Sequence, residues 1–93
     1  MGFIGAIVML KRNNIIENYF DDECLLLNTS TQKTHYLNEV ATWIWKRLDN
    51  SFDKKKLCCE LCEEFDISYD IALRDMDELL LHLEQAMVIS YNE

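Results

Sequence analysis

The stretch ECLLLNTSTQKTHYLNEVATWIWKRL, residues Glu23–Leu48, sets the order of secondary structure in this chain. An apolar run at Cys24–Leu27 is followed by a polar turn at 28–33 and a second short strand at Thr34–Leu37. Asn38 then precedes an amphipathic stretch, and asparagine is a favoured N-cap residue. The order predicts a β-hairpin that runs directly into a helix. The second strand of this hairpin would offer a free backbone edge to which another strand can add.

Length and charge narrow the class of protein. The 93 residues suit a single domain, residues 1–93, with a modest core. The hydrophobic fraction of 49% excludes intrinsic disorder. Nine Lys and Arg against 17 Asp and Glu give a net charge of -8. This sign disfavours a nucleic-acid partner, because affinity for phosphate backbones comes largely from Lys and Arg. A basic peptide, or a basic face on a partner enzyme, suits the charge better.

The apolar N-terminus, Met1–Leu10, matches neither a signal peptide nor a membrane span. Its positive residues, Lys11 and Arg12, follow the apolar run rather than precede it, and a span needs about 20 residues. We therefore expect no membrane partner and a cytoplasmic location, where the four cysteines would be thiols. Residues 1–12 are interpreted as an N-terminal arm or extra strand, and exchange of this arm between two copies would give a homodimer.

Two strands are predicted before the hairpin, at Ile4–Leu10 and Ile15–Phe20, because both runs are rich in β-branched and aromatic residues. Residues 11–14 are predicted to form the turn between them. With the hairpin, they complete a small antiparallel sheet of three or four short strands. The C-terminal stretch Val88–Tyr91 is predicted to be a short extended tail.

Three helices are predicted after the sheet. The first runs from Asn38 to about Leu48, the second follows the N-cap residue Asp53, and the third runs from about Ser68 to Ala86. The inner stripe of the third helix is predicted to comprise Ala72, Met76, Leu79, Leu80, Leu83 and Met87. The fold class is therefore α+β, with an N-terminal three-stranded antiparallel sheet followed by a winged-helix-like three-helix bundle.

The chain shows no constellation that favours catalysis. Cys58, Cys59 and Cys62 lie within a predicted helix without a second pair of metal ligands, so we expect small buried hydrophobes rather than a zinc site. His35 and His82 have no nucleophile in a recognisable context, and the two glycines form no phosphate-binding loop. We expect a protein that is not an enzyme and that has no cofactor and no metal.

Helices two and three can also be interpreted as a helix-turn-helix beside a wing, which makes a transcriptional regulator one alternative. The outward face of helix three argues against it, because Arg74 is its sole cation among several acidic residues. A structural dimerisation module, built on the N-terminal arm, is a further alternative.

Ordered motifs along the chain resemble those of the PqqD-like family, the small leader-peptide-binding proteins of ribosomal natural-product biosynthesis. The resemblance rests on Leu26-Leu27-Asn28, Tyr36-Leu37-Asn38 with Ala41, Ile44-Trp45 and Leu48, and it extends through helix three to Val88. One departure is Met87, where the family usually has glycine before the final hydrophobic pair. The resemblance implies three antiparallel strands followed by three helices.

The resemblance also implies that the leader of a precursor peptide adds as a strand to the third strand of the sheet and packs against the third helix. In this chain the strand corresponds to Thr34–Leu37, and Arg74 would pair with an acidic leader residue. The residues expected to bind the peptide are Thr34, His35, Tyr36, Leu37, Leu73, Arg74, Asp77, Leu80, Leu81 and Glu84.

Family members without a fused enzyme domain act as separate subunits that deliver the leader to a peptidase, cyclase or radical enzyme. For this chain the resemblance implies non-catalytic leader binding, with a precursor peptide and a separate maturation enzyme as partners. A leader peptidase of a lasso-peptide pathway is the first expectation, and a quinone-cofactor or radical-modified peptide pathway is the next.

Overall fold

The computed structural model of the protein describes residues 8–92, which form five strands and three helices. The predicted α+β class is confirmed, with a three-stranded antiparallel sheet and three helices. In chain order the elements are β1 Val8–Lys11, β2 Ile15–Phe20, β3 Glu23–Asn28, β4 Lys33–Leu37, α1 Glu39–Arg47, α2 Lys54–Phe65, α3 Tyr69–Gln85 and β5 Ile89–Asn92.

The three-stranded sheet has the order β2-β3-β4, so in the described part of the chain β3 is central and both β2 and β4 are edges. A two-residue loop joins β2 to β3, and Asp21 within it has a φ of 55°, a conformation that Asp tolerates better than most residues. The buried residues of β3 alternate, since Cys24, Leu26 and Asn28 are each fully buried. One face of the sheet therefore packs on the helices while the other faces solvent.

The predicted pairing of the first strand is wrong. β1 does not form a hairpin with β2; it pairs antiparallel with β5 in a separate two-stranded ribbon, in which Met9 lies opposite Tyr91. The predicted C-terminal tail is thus a strand. Residues 4–7 of the predicted first strand lie outside the described residues. β1 pairs with β5 rather than with β2 because the ribbon places both Met9 and Ile89 in the core, where they are buried.

The helices begin where their N-cap residues predict. The side chain of Asn38 accepts a hydrogen bond from the backbone N–H of Ala41 at 2.9 Å. Asp53 and Ser68 cap α2 and α3 in the same way. These caps satisfy amide donors that would otherwise have no partner in the first turn of each helix.

One core joins the sheet, the ribbon and all three helices. Its buried apolar residues are Met9, Cys24, Leu26, Leu37, Ile44, Trp45, Leu48, Leu57, Cys58, Leu61, Ala72, Met76, Leu79, Leu80, Leu83, Val88 and Ile89. Five of the six residues predicted for the inner stripe of α3 are among them.

Two burial predictions are wrong. Met87 is exposed, because α3 ends at Gln85 and Met87 turns the chain with a φ of 60°. That left-handed conformation is the one glycine adopts most easily, and glycine is the residue expected there from the family resemblance. Cys58 is buried as predicted, but Cys59 lies on the solvent side of α2 and is exposed.

Asn28 links the β3–β4 loop to the end of α3. Its side-chain amide donates to the backbone carbonyls of Ala86 and Met87, both at 3.1 Å. Its side-chain oxygen accepts hydrogen bonds from the backbone N–H groups of Ser30 and Thr31. All four partners are backbone groups in turns, outside the regular hydrogen bonding of helices and sheets. One buried side chain therefore stabilises two turns.

We expect Asn28→Ala to lower the free energy of unfolding by about 1–3 kcal/mol, because buried carbonyls and amides would lose their partner. Chemical denaturation measures the change. Asn50→Ala is the matched control, since Asn50 is exposed, and it should change stability by at most about 0.5 kcal/mol. Equal effects of the two substitutions would show that the links from Asn28 contribute nothing.

Candidate functional site

Within residues 8–92, β4 is an edge strand with one unpaired side. It pairs with β3 through residues such as Leu37, opposite Cys24, and Tyr36, opposite Leu25. The hydroxyl of Thr42 in α1 donates to the carbonyl of Leu37 at 3.1 Å, which fixes the end of the strand. On its other side, no Cα atom of α3 comes within 8 Å of a Cα atom of β4, both elements being fully described. A groove therefore separates β4 from α3.

The first cavity of this groove lies beside the end of β4 and the start of α1. It has a volume of about 340 Å³. Leu37, Val40, Ala41, Ile44 and Leu79 give it an apolar floor. Its polar lining comes from Tyr36, Asn38, Asp75, Glu78 and His82.

A second cavity, of about 360 Å³, lies beside the start of β4. Its lining comes from the β3–β4 loop, from β4 and from the end of α3, and comprises Thr31, Lys33, His35, His82, Gln85, Ala86 and Met87. His82 contributes to both cavities. The two cavities are therefore neighbouring parts of a single groove along the unpaired side of β4.

His35 and His82 meet across this groove. Their ring centroids lie 5.4 Å apart, and the rings are nearly perpendicular, with an interplanar angle of 76°. The Nε2 atom of His35 is buried and has no hydrogen-bond partner among the described residues. Burial lowers the pKa of His35, and electrostatic interactions with His82 and Lys33 lower it further. The neutral imidazole is thus favoured in the folded protein.

The first cavity is acidic. Asp75 is half-buried and Glu78 is exposed, and neither forms an ion pair within the described residues. The ion pair found among residues 8–92 joins Asp77 to Lys54 of α2, on a different side of α3. Asp75 and Glu78 are consequently available to a cation that enters the groove.

The residues predicted to bind peptide fall into two groups. Thr34, His35, Tyr36 and Leu37 lie together on β4, and all but Thr34 line a cavity. The predicted residues of α3 line neither cavity: Leu73, Arg74, Asp77, Leu80, Leu81 and Glu84. Leu80 is buried in the core, Leu81 is 54% exposed, and Asp77 pairs with α2. A peptide-binding role for these six residues stays a prediction.

Sequence reasoning missed the residues of α3 that face the groove, namely Asp75, Glu78, Leu79, His82 and Gln85. A signal was present, because positions 75, 78, 79 and 82 share one helical face at spacings of three and four. Periodicity identifies the faces of a helix, but it does not say which face lies beside a given strand. Val40 and Ala41 of α1 were also absent from the predicted site.

Two further properties bear on the class of protein. Within residues 8–92, no group of three or more His, Cys, Asp or Glu side chains is arranged to hold a metal ion. None of the helices in the described part of the chain is both long and apolar enough to cross a membrane.

Comparison with known proteins supplies the family. No curated protein matches the chain significantly. Among solved structures, TbiB1 in complex with the TbiA(beta) leader peptide is similar, with a TM-score of 0.78 and 21% identity over 87% of this chain and 94% of that chain. At this identity the likeness shows a shared fold. The model of the family coenzyme PQQ synthesis protein D (PqqD) matches residues 23–89, most of the chain. The chain therefore belongs to the PqqD family.

Proposed function

We propose that this protein binds the leader region of a ribosomally synthesised precursor peptide, without catalysing a reaction itself, and delivers it to a separate maturation enzyme. The observation that supports this most directly is the groove between β4 and α3, bordered by an unpaired strand edge. Membership of the PqqD family and the shared fold with TbiB1, whose structure contains a leader peptide, point the same way.

Strand addition explains how such a groove would hold a peptide. An extended segment placed along β4 would satisfy the backbone groups on the unpaired side of that strand. Successive side chains of the segment would point alternately toward the helices and toward solvent. Those that point toward the helices would enter the two cavities, so backbone bonds would give affinity and the cavities would give selectivity.

We assign the strand side of the site to Thr34, His35, Tyr36 and Leu37. On the helix side we assign it to Asp75, Glu78, Leu79 and His82, which line the groove. The earlier prediction for Leu81 and its neighbours on α3 remains a competing proposal. The two proposals predict different effects of substitutions on peptide binding, because Leu81 points to solvent on a side of α3 that lines neither cavity.

The net charge of -8 favours a partner with basic character. For the maturation enzyme we propose a leader peptidase of a lasso-peptide pathway, with enzymes of quinone-cofactor or radical-modified peptide pathways as alternatives. A cytoplasmic location is part of the proposal. Co-purification of the tagged protein with each candidate enzyme, with and without precursor peptide, separates these partners.

We expect the leader half of a cognate precursor peptide, encoded by a gene neighbouring this one, to bind with a dissociation constant of about 1 μM or lower. The core half of the same precursor should not bind. Isothermal titration calorimetry with the two synthetic halves measures both. Hydrogen exchange should show new protection of β4 amides in the complex, because their unpaired side would be covered.

Binding of the core half alone, or of neither half, would contradict the proposal. A leader that binds without protecting β4 would contradict strand addition but leave leader recognition intact. Titration of the protein with duplex DNA at low salt addresses the regulator alternative, for which a salt-dependent affinity would be expected.

A further inference from the structure

The His35–His82 contact divides the groove into two cavities of unlike charge. The cavity beside Leu37 contains the carboxylates Asp75 and Glu78. The cavity beside the start of β4 contains no carboxylate, and its cationic side chain is that of Lys33. One end of the groove is thus acidic and the other end is basic. Strand addition does not by itself require this distribution of charge, which comes from the side chains of this chain.

The spacing of β4 relates these charges to positions in a bound peptide. One face of β4 presents the alternate residues Lys33, His35 and Leu37 toward the helices. The helix-facing side chains of an added strand would lie opposite these three residues. The peptide residues opposite positions 37 and 33 are four apart, at about 13 Å along an extended chain. The residue between them lies opposite the two imidazoles, where the ring contact leaves the least room.

We propose that the groove selects a peptide with two same-face charges four residues apart. One is a lysine or arginine for the Asp75–Glu78 cavity, and the other is an aspartate or glutamate for the Lys33 cavity. This rests on the proposed function and specifies the class of peptide that the site takes. The long stem of a lysine or arginine suits the apolar floor at Leu79 and Ile44, and its charged end reaches the carboxylates at the rim.

Unpaired charges in the groove set the direction in which the peptide lies. Reversing the peptide would place its cation beside Lys33 and its anion beside Asp75 and Glu78. Like charges placed together oppose binding, so the same two pairs that favour one orientation disfavour the other. Charge thereby fixes both the register and the polarity of the added strand, which backbone hydrogen bonds alone leave free.

The test uses phage-displayed random peptides of about 12 residues, a length that exceeds the groove. They are selected on the wild-type protein and on three charge variants. Asp75→Asn/Glu78→Gln removes the acidic pair. Glu60→Gln/Glu63→Gln removes two exposed carboxylates of α2 that line neither cavity, and so matches the change in net charge. Lys33→Gln removes the cation of the second cavity.

Peptides selected on the wild type and on Glu60→Gln/Glu63→Gln are expected to contain a cation and an anion four residues apart in one fixed order. The Asp75→Asn/Glu78→Gln variant should lose the cation preference, and its affinity for a selected peptide should fall about tenfold. Lys33→Gln should lose the anion preference. A cation preference that persists in Asp75→Asn/Glu78→Gln, or peptides without the charge pair, would overturn the inference while supporting peptide binding. Failure to select any peptide would contradict the proposed function itself.

Discussion

Trp45→Ala is expected to lower the free energy of unfolding by about 3–5 kcal/mol, which is the usual cost of truncating a large buried aromatic residue. Trp45 of α1 is only 1% exposed and belongs to the core. Its indole N–H donates to Glu17 at 3.0 Å, and the Lys11 ammonium lies 4.0 Å from the centre of its ring. The substitution would remove packing, a hydrogen bond and a cation–π contact together.

Urea denaturation followed by circular dichroism measures this loss. Leu81→Ala is the control, because Leu81 is 54% exposed and its truncation should change stability by at most about 0.5 kcal/mol. Similar losses for the two substitutions would mean that the core is not arranged as described. The fluorescence of the remaining Trp43 offers a second probe of unfolding in the variant.

Ala41→Trp should weaken leader binding by about 100-fold or more while the melting temperature changes little. Ala41 is half-buried at the floor of the first cavity, so an indole in its place would occupy the space proposed for a peptide side chain. A 100-fold loss corresponds to about 2.7 kcal/mol of binding free energy. Because the cavity already holds about 340 Å³ of space, the larger side chain need not displace the core.

The matched control for this substitution is Leu81→Trp, which adds an indole to the exposed side of α3. Calorimetry should then show unchanged affinity. If Leu81→Trp blocked the leader and Ala41→Trp did not, the site would lie on the helix face predicted from the sequence rather than in the groove. The pair of variants therefore decides between the two proposals for the helix side of the site.

The local parts of the fold were predictable because each depends on a few neighbouring residues. Asn38, Asp53 and Ser68 mark the helix starts through capping that is encoded within four residues. The β3–β4 hairpin follows equally from a polar turn between two apolar runs.

The pairing of β1 was not predictable in the same way. Its partner β5 lies at the other end of the chain, and both are short strands without a pattern that specifies a mate. Which residues of α3 border the groove was not predictable for a related reason. The apolar residues Leu79 and Leu80 identify the inner face of α3, and both are buried. Whether Asp75 or Asp77 lies beside β4 depends on how α3 is rotated about its axis over the sheet.

The β1–β5 ribbon has a consequence for the order of events during synthesis. Val8 is among the first described residues to leave the ribosome, and Asn92, its partner, is the last. The hairpins of β2, β3 and β4 and the cap of α1 use contacts close in sequence, so they can form while the chain is still growing. β1 must wait until α3 and β5 have emerged, and until then Met9 has no β5 beside it. The strand side of the groove is thus built from early segments and its helix side is added when α3 emerges, and the ribbon is the closing step that joins the two ends of the fold.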